Sequence, residues 1–132
     1  MAVDEIIQKY GAETNIMFLG RTCYELNSLL ESNLFSRGEN KGELIYKENP
    51  SVPMSFMTVH KSKGLEAENV IILNFNNALL GFPNKIYDDP ILELVLSTAD
   101  TFLYGEERRL FYVALTRTCN EVFLITSQGR PF

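Results

Sequence analysis

The sequence predicts a single α/β domain on a mostly parallel sheet, and three observations carry that prediction. Short, uninterrupted apolar runs such as Ile16-Met17-Phe18-Leu19 suit strands covered on both faces, as the strands of a parallel sheet are. Helical segments alternate with such runs along the chain, the pattern of repeated βα units. The 132 residues, 45% hydrophobic and 22% charged, fit one domain (1–132) with a real core and exclude a disordered tail.

The elements follow in order. Val3 to Tyr10 reads as a short amphipathic helix stopped by Gly11, a residue suited to the left-handed position after a helix. Ile16 to Leu19 is the first strand. Gly20-Arg21 leads into Thr22-Cys23-Tyr24-Glu25, a T-x-x-E capping box, and Leu26, Leu29, Leu30 and Leu34 continue at helical spacing. Residues 36 to 42 are polar and contain glycine, so they read as a loop. Glu43 to Lys47 is expected as a short strand at the sheet edge, broken by Asn49-Pro50 and Pro53. Ser55 to Val59 and Val70 to Phe75 are two further strands, and Asn76 to Tyr87 reads as irregular. Asp89-Pro90 starts a helix to about Leu96, with Asp at the N-cap and Pro at the first helical position. Gly105 to Thr116 is the longest helix, with Glu106 and Glu107 in its first turn, and Glu121 to Thr126 is the closing strand.

Composition narrows the chemistry. Twelve basic and seventeen acidic side chains give a net charge of −5, so bulk charge does not attract nucleic acid and any such contact needs a local basic cluster. Cys23 and Cys119 stand alone, with no CxxC and only His60 as a histidine. That excludes a disulfide scaffold, argues against zinc and suits a reducing cytoplasm. Both cysteines read as buried small hydrophobes. No stretch has the length of a membrane span, and the first ten residues do not resemble a signal peptide.

Ligands of open α/β sheets bind at the carboxyl ends of strands. Three cationic segments are expected at or near such ends: Arg21, the His60-Lys61-Ser62-Lys63 loop, and Arg117. Arg117 lies seven residues beyond Leu110 and four beyond Val113, on the apolar stripe of its helix, where a guanidinium needs an anionic partner. Each has a plainer reading. Arg117 would complement the helix dipole, Arg21 would form a surface ion pair, Lys61 and Lys63 would be a solvated turn, and His60 a packed histidine. The chain contains neither GxxxxGK(S/T) nor GxGxxG, so it has no phosphate cradle of its own and at best completes one supplied by another domain.

Longer segments are more specific. Thr58-Val59-His60-Lys61-Ser62-Lys63-Gly64-Leu65-Glu66 closely resembles motif V of the UvrD/Rep/PcrA type of superfamily 1 DNA helicases. Glu106-Glu107-Arg108-Arg109-Leu110-Phe111-Tyr112-Val113-Ala114-Leu115-Thr116-Arg117 closely resembles motif VI, and Ile16 to Arg21 resembles motif IV. The resemblance implies the second RecA-like (P-loop NTPase-type) lobe of such a helicase, a three-layer fold. A separate first lobe would carry the Walker residues and bind ATP with Mg²⁺. It implies that Arg21 and Arg117 reach the γ-phosphate, that Glu66 holds the ribose or couples nucleotide to DNA, and that Gly64 lets the loop approach the nucleotide. Thr58, His60 and Lys61 would meet the backbone of single-stranded or partly duplex DNA. Two departures stand out. Family members often carry an inserted subdomain between motifs IV and V, where this chain has only Thr22 to Met57, and Thr118-Cys119 replaces alanine and a basic residue.

Two other readings compete. A receiver-like regulatory module needs acidic residues at its strand ends to hold Mg²⁺, where this chain has Arg21, His60, Lys61 and Lys63. A degenerate helicase-like domain kept as a protein-interaction module is the stronger alternative, against which stand the intact Arg21, Glu66 and Arg117.

Overall fold

The computed structural model describes residues 2–74 and 105–125. The irregular stretch Asn76 to Tyr87, the helix expected from Asp89, Phe75 and Thr126 all lie outside them. In chain order the elements are α1 (Ala2–Tyr10), β1 (Ile16–Gly20), α2 (Tyr24–Glu31), β2 (Phe35–Arg37), β3 (Glu43–Tyr46) and β4 (Met54–Thr58). A 3-10 turn (Val59–Ser62), β5 (Ala67–Ile72), α3 (Gly105–Leu115) and β6 (Thr118–Leu124) follow. One six-stranded sheet has the order β2-β3-β4-β1-β5-β6. Its β4-β1-β5-β6 portion is parallel, and β3 and β2 extend it antiparallel.

Alternation along the strands builds three layers. All five residues of β1 are buried. Ile16 and Phe18 join Met54, Phe56 and Ile71 in a core with Val3 and Ile6 of α1, against which Leu26 and Leu29 of α2 pack. Met17 and Leu19 point the other way, into a core with Val59, Val70, Ile72, Leu110 and Ala114. Thus α1 and α2 cover one face, and α3 with the 3-10 turn covers the other. This is the α/β, mostly parallel, three-layer arrangement expected of a RecA-like lobe.

Local signals explain most boundaries. Gly11 takes φ +89° and its N–H donates to Ile7 O at 2.9 Å, ending α1 as glycine does. Only half of the capping box forms. The Glu25 carboxylate accepts from the Thr22 N–H at 3.1 Å and the Thr22 hydroxyl at 2.8 Å, while Cys23 occupies the N-cap without a side-chain cap bond. The leucine spacing predicts a helix to Leu34, but α2 stops at Glu31. Asn33 turns left-handed at φ +61°, a conformation asparagine tolerates, and the Ser32 hydroxyl takes the Leu29 carbonyl. Part of the expected loop, Ser36 and Arg37, belongs to strand β2, so β3 lies one strand in from the edge. Strands β5 and β6 begin three residues earlier than the apolar runs predict.

Beneath α1, the phenol of Tyr46 is fully buried and donates to Asp4 Oδ1 at 3.0 Å and Glu48 Oε2 at 2.8 Å. Burial, then the two carboxylates, pushes the phenol well above the ordinary range. A folded-state value raised above the unfolded one gives stability that is complete below about pH 10 and falls away as the pH rises further. Tyr46→Phe is expected to cost about 1–2 kcal/mol at neutral pH and to remove that alkaline slope. Thermal melts from pH 7 to 11 check both, and a parallel loss in the two proteins above pH 10 would assign the slope elsewhere.

Candidate functional site

Two groups of chemically competent side chains lie at opposite edges of the sheet, joined by one loop. At the carboxyl edge, Arg21 follows directly on β1. Its Nε donates to Glu107 Oε1 and Oε2 at 2.9 and 3.1 Å, and its Nη2 donates to Glu107 Oε1 at 2.6 Å. The remaining group, Nη1, lies 3.2 Å from His60 Nε2, which must be the unprotonated ring nitrogen to accept from a permanent cation. The ion pair is largely withdrawn from solvent, with side-chain exposures of 21% for Arg21 and 10% for Glu107, so screening weakens it less than a surface pair. His60 and Lys61 are exposed, and half-buried Thr58 ends β4 opposite Gly20.

The loop then crosses the sheet beneath α3. Val59 and Ser62 are fully buried, and the Ser62 hydroxyl donates to Val59 O at 2.7 Å. Lys63 (φ −58°, ψ 121°) and Gly64 (φ +85°) fill the centre of a turn closed by Leu65 N–H to Ser62 O at 2.9 Å. This is a type II turn, whose third position calls for glycine. Among the described residues no atom lies within 4 Å of where a Gly64 Cβ would stand, so it is the dihedral that calls for glycine here.

At the amino edge, Arg117 sits in the turn between α3 and β6. Its Nε donates to Val113 O at 3.1 Å, Nη1 to Leu65 O at 3.4 Å and Nη2 to Thr116 Oγ1 at 3.3 Å. Exposed Glu66 is next in the loop, with Cys119 Sγ 4.0 Å from its Oε2.

This geometry corrects several expectations. Arg117 is not on a buried stripe, because α3 ends at Leu115 and the chain turns before it; the guanidinium is half-exposed and holds backbone carbonyls near the helix end. Nor does it lie at a carboxyl end. β6 runs parallel to β5 and begins at the next residue, Thr118, which pairs with Ala67, so Arg117 is fixed at the amino edge. Arg21 and Arg117 are therefore apart, separated along the strands by on the order of 20 Å. Arg21 groups with His60, Lys61 and Thr58; Arg117 groups with Glu66 and Gly64. His60 is exposed and not packed, and both cysteines are exposed. The residue that sequence reasoning placed but gave no role is Glu107. Its position in the first turn of a helix was legible, and its partner was not.

Among the described residues no group of three His, Cys, Asp or Glu is placed to hold a metal ion, and no helix is long and apolar enough to cross a membrane. The UvrD-like helicase C-terminal domain family matches residues 3–129. The chain is 38% identical over 82 residues to DNA helicase IV of Escherichia coli K12, covering 62% of this chain and 12% of that protein. It is 30% identical over 119 residues to ATP-dependent DNA helicase Rep of Buchnera aphidicola, covering 80% of this chain and 16% of the relative. A probable DNA helicase II homolog of Mycoplasma capricolum is 41% identical over 76 residues, 58% of this chain and 9% of that protein. The chain thus spans less than a fifth of these relatives. No solved structure gives a significant match.

Proposed function

We propose that this chain, which belongs to the UvrD-like helicase C-terminal domain family, works as the second RecA-like lobe of an ATP-dependent DNA helicase in the cytoplasm. The observation that carries the reading is one loop serving two edges: His60 against Arg21 at one, Leu65 against Arg117 at the other. Arg117 is the group offered to the γ-phosphate of an ATP held by a first lobe. Glu66 and Gly64 lie beside it on the nucleotide side. His60, Lys61 and Thr58, now with Arg21, face the DNA backbone.

The donor set fits that division of labour. A guanidinium and a carboxylate at the amino edge suit the outer side of a bound nucleotide. The lack of a phosphate cradle in the sequence leaves ATP and Mg²⁺ to be held mainly by the first lobe, so the chain alone is inactive as an ATPase. Arg117 neutralises charge on the transferring phosphoryl group only when the lobes close, which makes hydrolysis conditional on closure.

The DNA side is tested by His60→Ala with Lys61→Ala in the full-length gene product. Contacts of this kind are to phosphates, so single-strand affinity is expected to fall similarly for all sequences, and its salt dependence to become shallower. Unchanged affinity at both low and moderate salt would return the loop to a structural role.

A further inference from the structure

The Arg21–Glu107 contact has a geometry that a surface ion pair does not need. The three hydrogen bonds that Arg21 donates to Glu107 leave from one side of the guanidinium, the edge formed by Nε and Nη2. Nη1 stands clear of the carboxylate and beside His60 Nε2. A carboxylate bound side-on fixes the plane of the guanidinium, leaving its far edge as the part able to meet an incoming anion. Glu107 is itself well anchored, 8% exposed in the first turn of α3, a helix that buries Leu110 and Ala114 against the sheet.

We infer that Glu107 is a positioning residue, which holds Arg21 side-on so that its outer edge, next to His60, receives a backbone phosphate of single-stranded DNA. The inference rests on the reading of this lobe as a DNA-contacting one. Nucleic acid and nucleotide both carry such a phosphate; the neighbourhood of His60 and the distance to Arg117 favour nucleic acid.

Electrostatics alone and positioning give opposite signs. Deleting a carboxylate from beside a phosphate site removes a repulsion and raises affinity. If Glu107 orients the arginine, deleting it lowers affinity. In the full-length gene product, Glu107→Ala is expected to weaken binding of a single-stranded oligonucleotide about tenfold, comparably to Arg21→Ala. In the Arg21→Ala background, Glu107→Ala should cost nothing more. Arg21→Lys keeps the charge and loses the side-on fork, so it should resemble Glu107→Ala. Isosteric Glu107→Gln, expected to fall between, guards against misfolding, with near-native melting required of each variant.

ATP affinity, measured in parallel, is expected to stay within twofold; a loss there instead of in DNA binding overturns the assignment to DNA. So does tighter DNA binding by Glu107→Ala, wild-type affinity in Arg21→Lys, or additive losses in the double variant. If the His60 and Lys61 substitutions weaken DNA binding while those at Arg21 and Glu107 do not, the positioning role falls and the lobe's function stands. If none of them does, the DNA-contacting reading itself falls.

Discussion

Arg117→Ala in the full-length gene product is expected to lower DNA-stimulated ATP turnover by roughly 10³-fold, with a far smaller change in ATP affinity. An arginine supplied across a cleft acts on charge that develops in the transition state, so its loss appears in kcat and not in ground-state binding. Arg117→Lys should fail as well, because a point-charge ammonium does not reproduce a planar fork. In the structure the guanidinium rests on the Val113 and Leu65 carbonyls and the Thr116 hydroxyl, with no carboxylate among its described partners. Removing it therefore strands no buried charge, and half-exposed carbonyls regain water. The chain's melting temperature should move by only a few degrees. Near-normal turnover in the variant would remove Arg117 from the ATP site, and a large loss of melting temperature would make it a structural residue.

Phe18→Ala should show the opposite pattern, a large loss of stability from a residue that touches no ligand. Phe18 is 1% exposed on the α1/α2 face of β1, and its ring meets Phe35 edge-on at 5.4 Å between centroids and 76° between planes. Truncation removes the ring from both β1 and the β2 edge, for about 3–5 kcal/mol. Against the roughly 5–15 kcal/mol of an ordinary domain, that is about a fifth of the total or more. Urea unfolding of the chain should show a much lower midpoint with little change in slope, and Phe18→Leu a smaller shift. A midpoint within error of the wild type would mean that the neighbouring side chains collapse into the gap.

Which features were legible in the sequence follows from how local their causes are. The buried run of β1 and the glycine after α1 each depend on a few adjacent residues, and the expectations for them agree with the structure. Strand β2 was missed because Phe35-Ser36-Arg37 has no apolar run; it forms by pairing with Leu44 to Tyr46 and by burying Phe35 alone. Arg117 was placed on a buried stripe because helical periodicity was extended past Leu115, where the helix has ended, and at the carboxyl edge because the direction of β6 is not written in its own residues. Glu107 and Arg21 stand 86 positions apart, and no spacing rule connects them. Motif V and motif VI were recognisable as segments, whereas their division between two edges depends on the direction of β6.

The link between β4 and β5 is short for what it spans. From Thr58, level with Gly20, to Ala67, two residues below the Ile16 and Asn69 pair, it must travel six residue levels along the sheet and step over β1. At about 3.3 Å per level and 4.8 Å per strand, the straight distance is about 22 Å. The available contour, four residues at the 3-10 rise and five extended steps, is about 25 Å before the type II turn takes its share. The strap is close to taut. A link with slack would leave its two ends independent, whereas this one is seated where Val59 and Ser62 are buried, and Leu65 beyond them presents the carbonyl that accepts from Arg117. Its length fixes how far apart its two ends stand, His60 at one edge and Leu65 at the other.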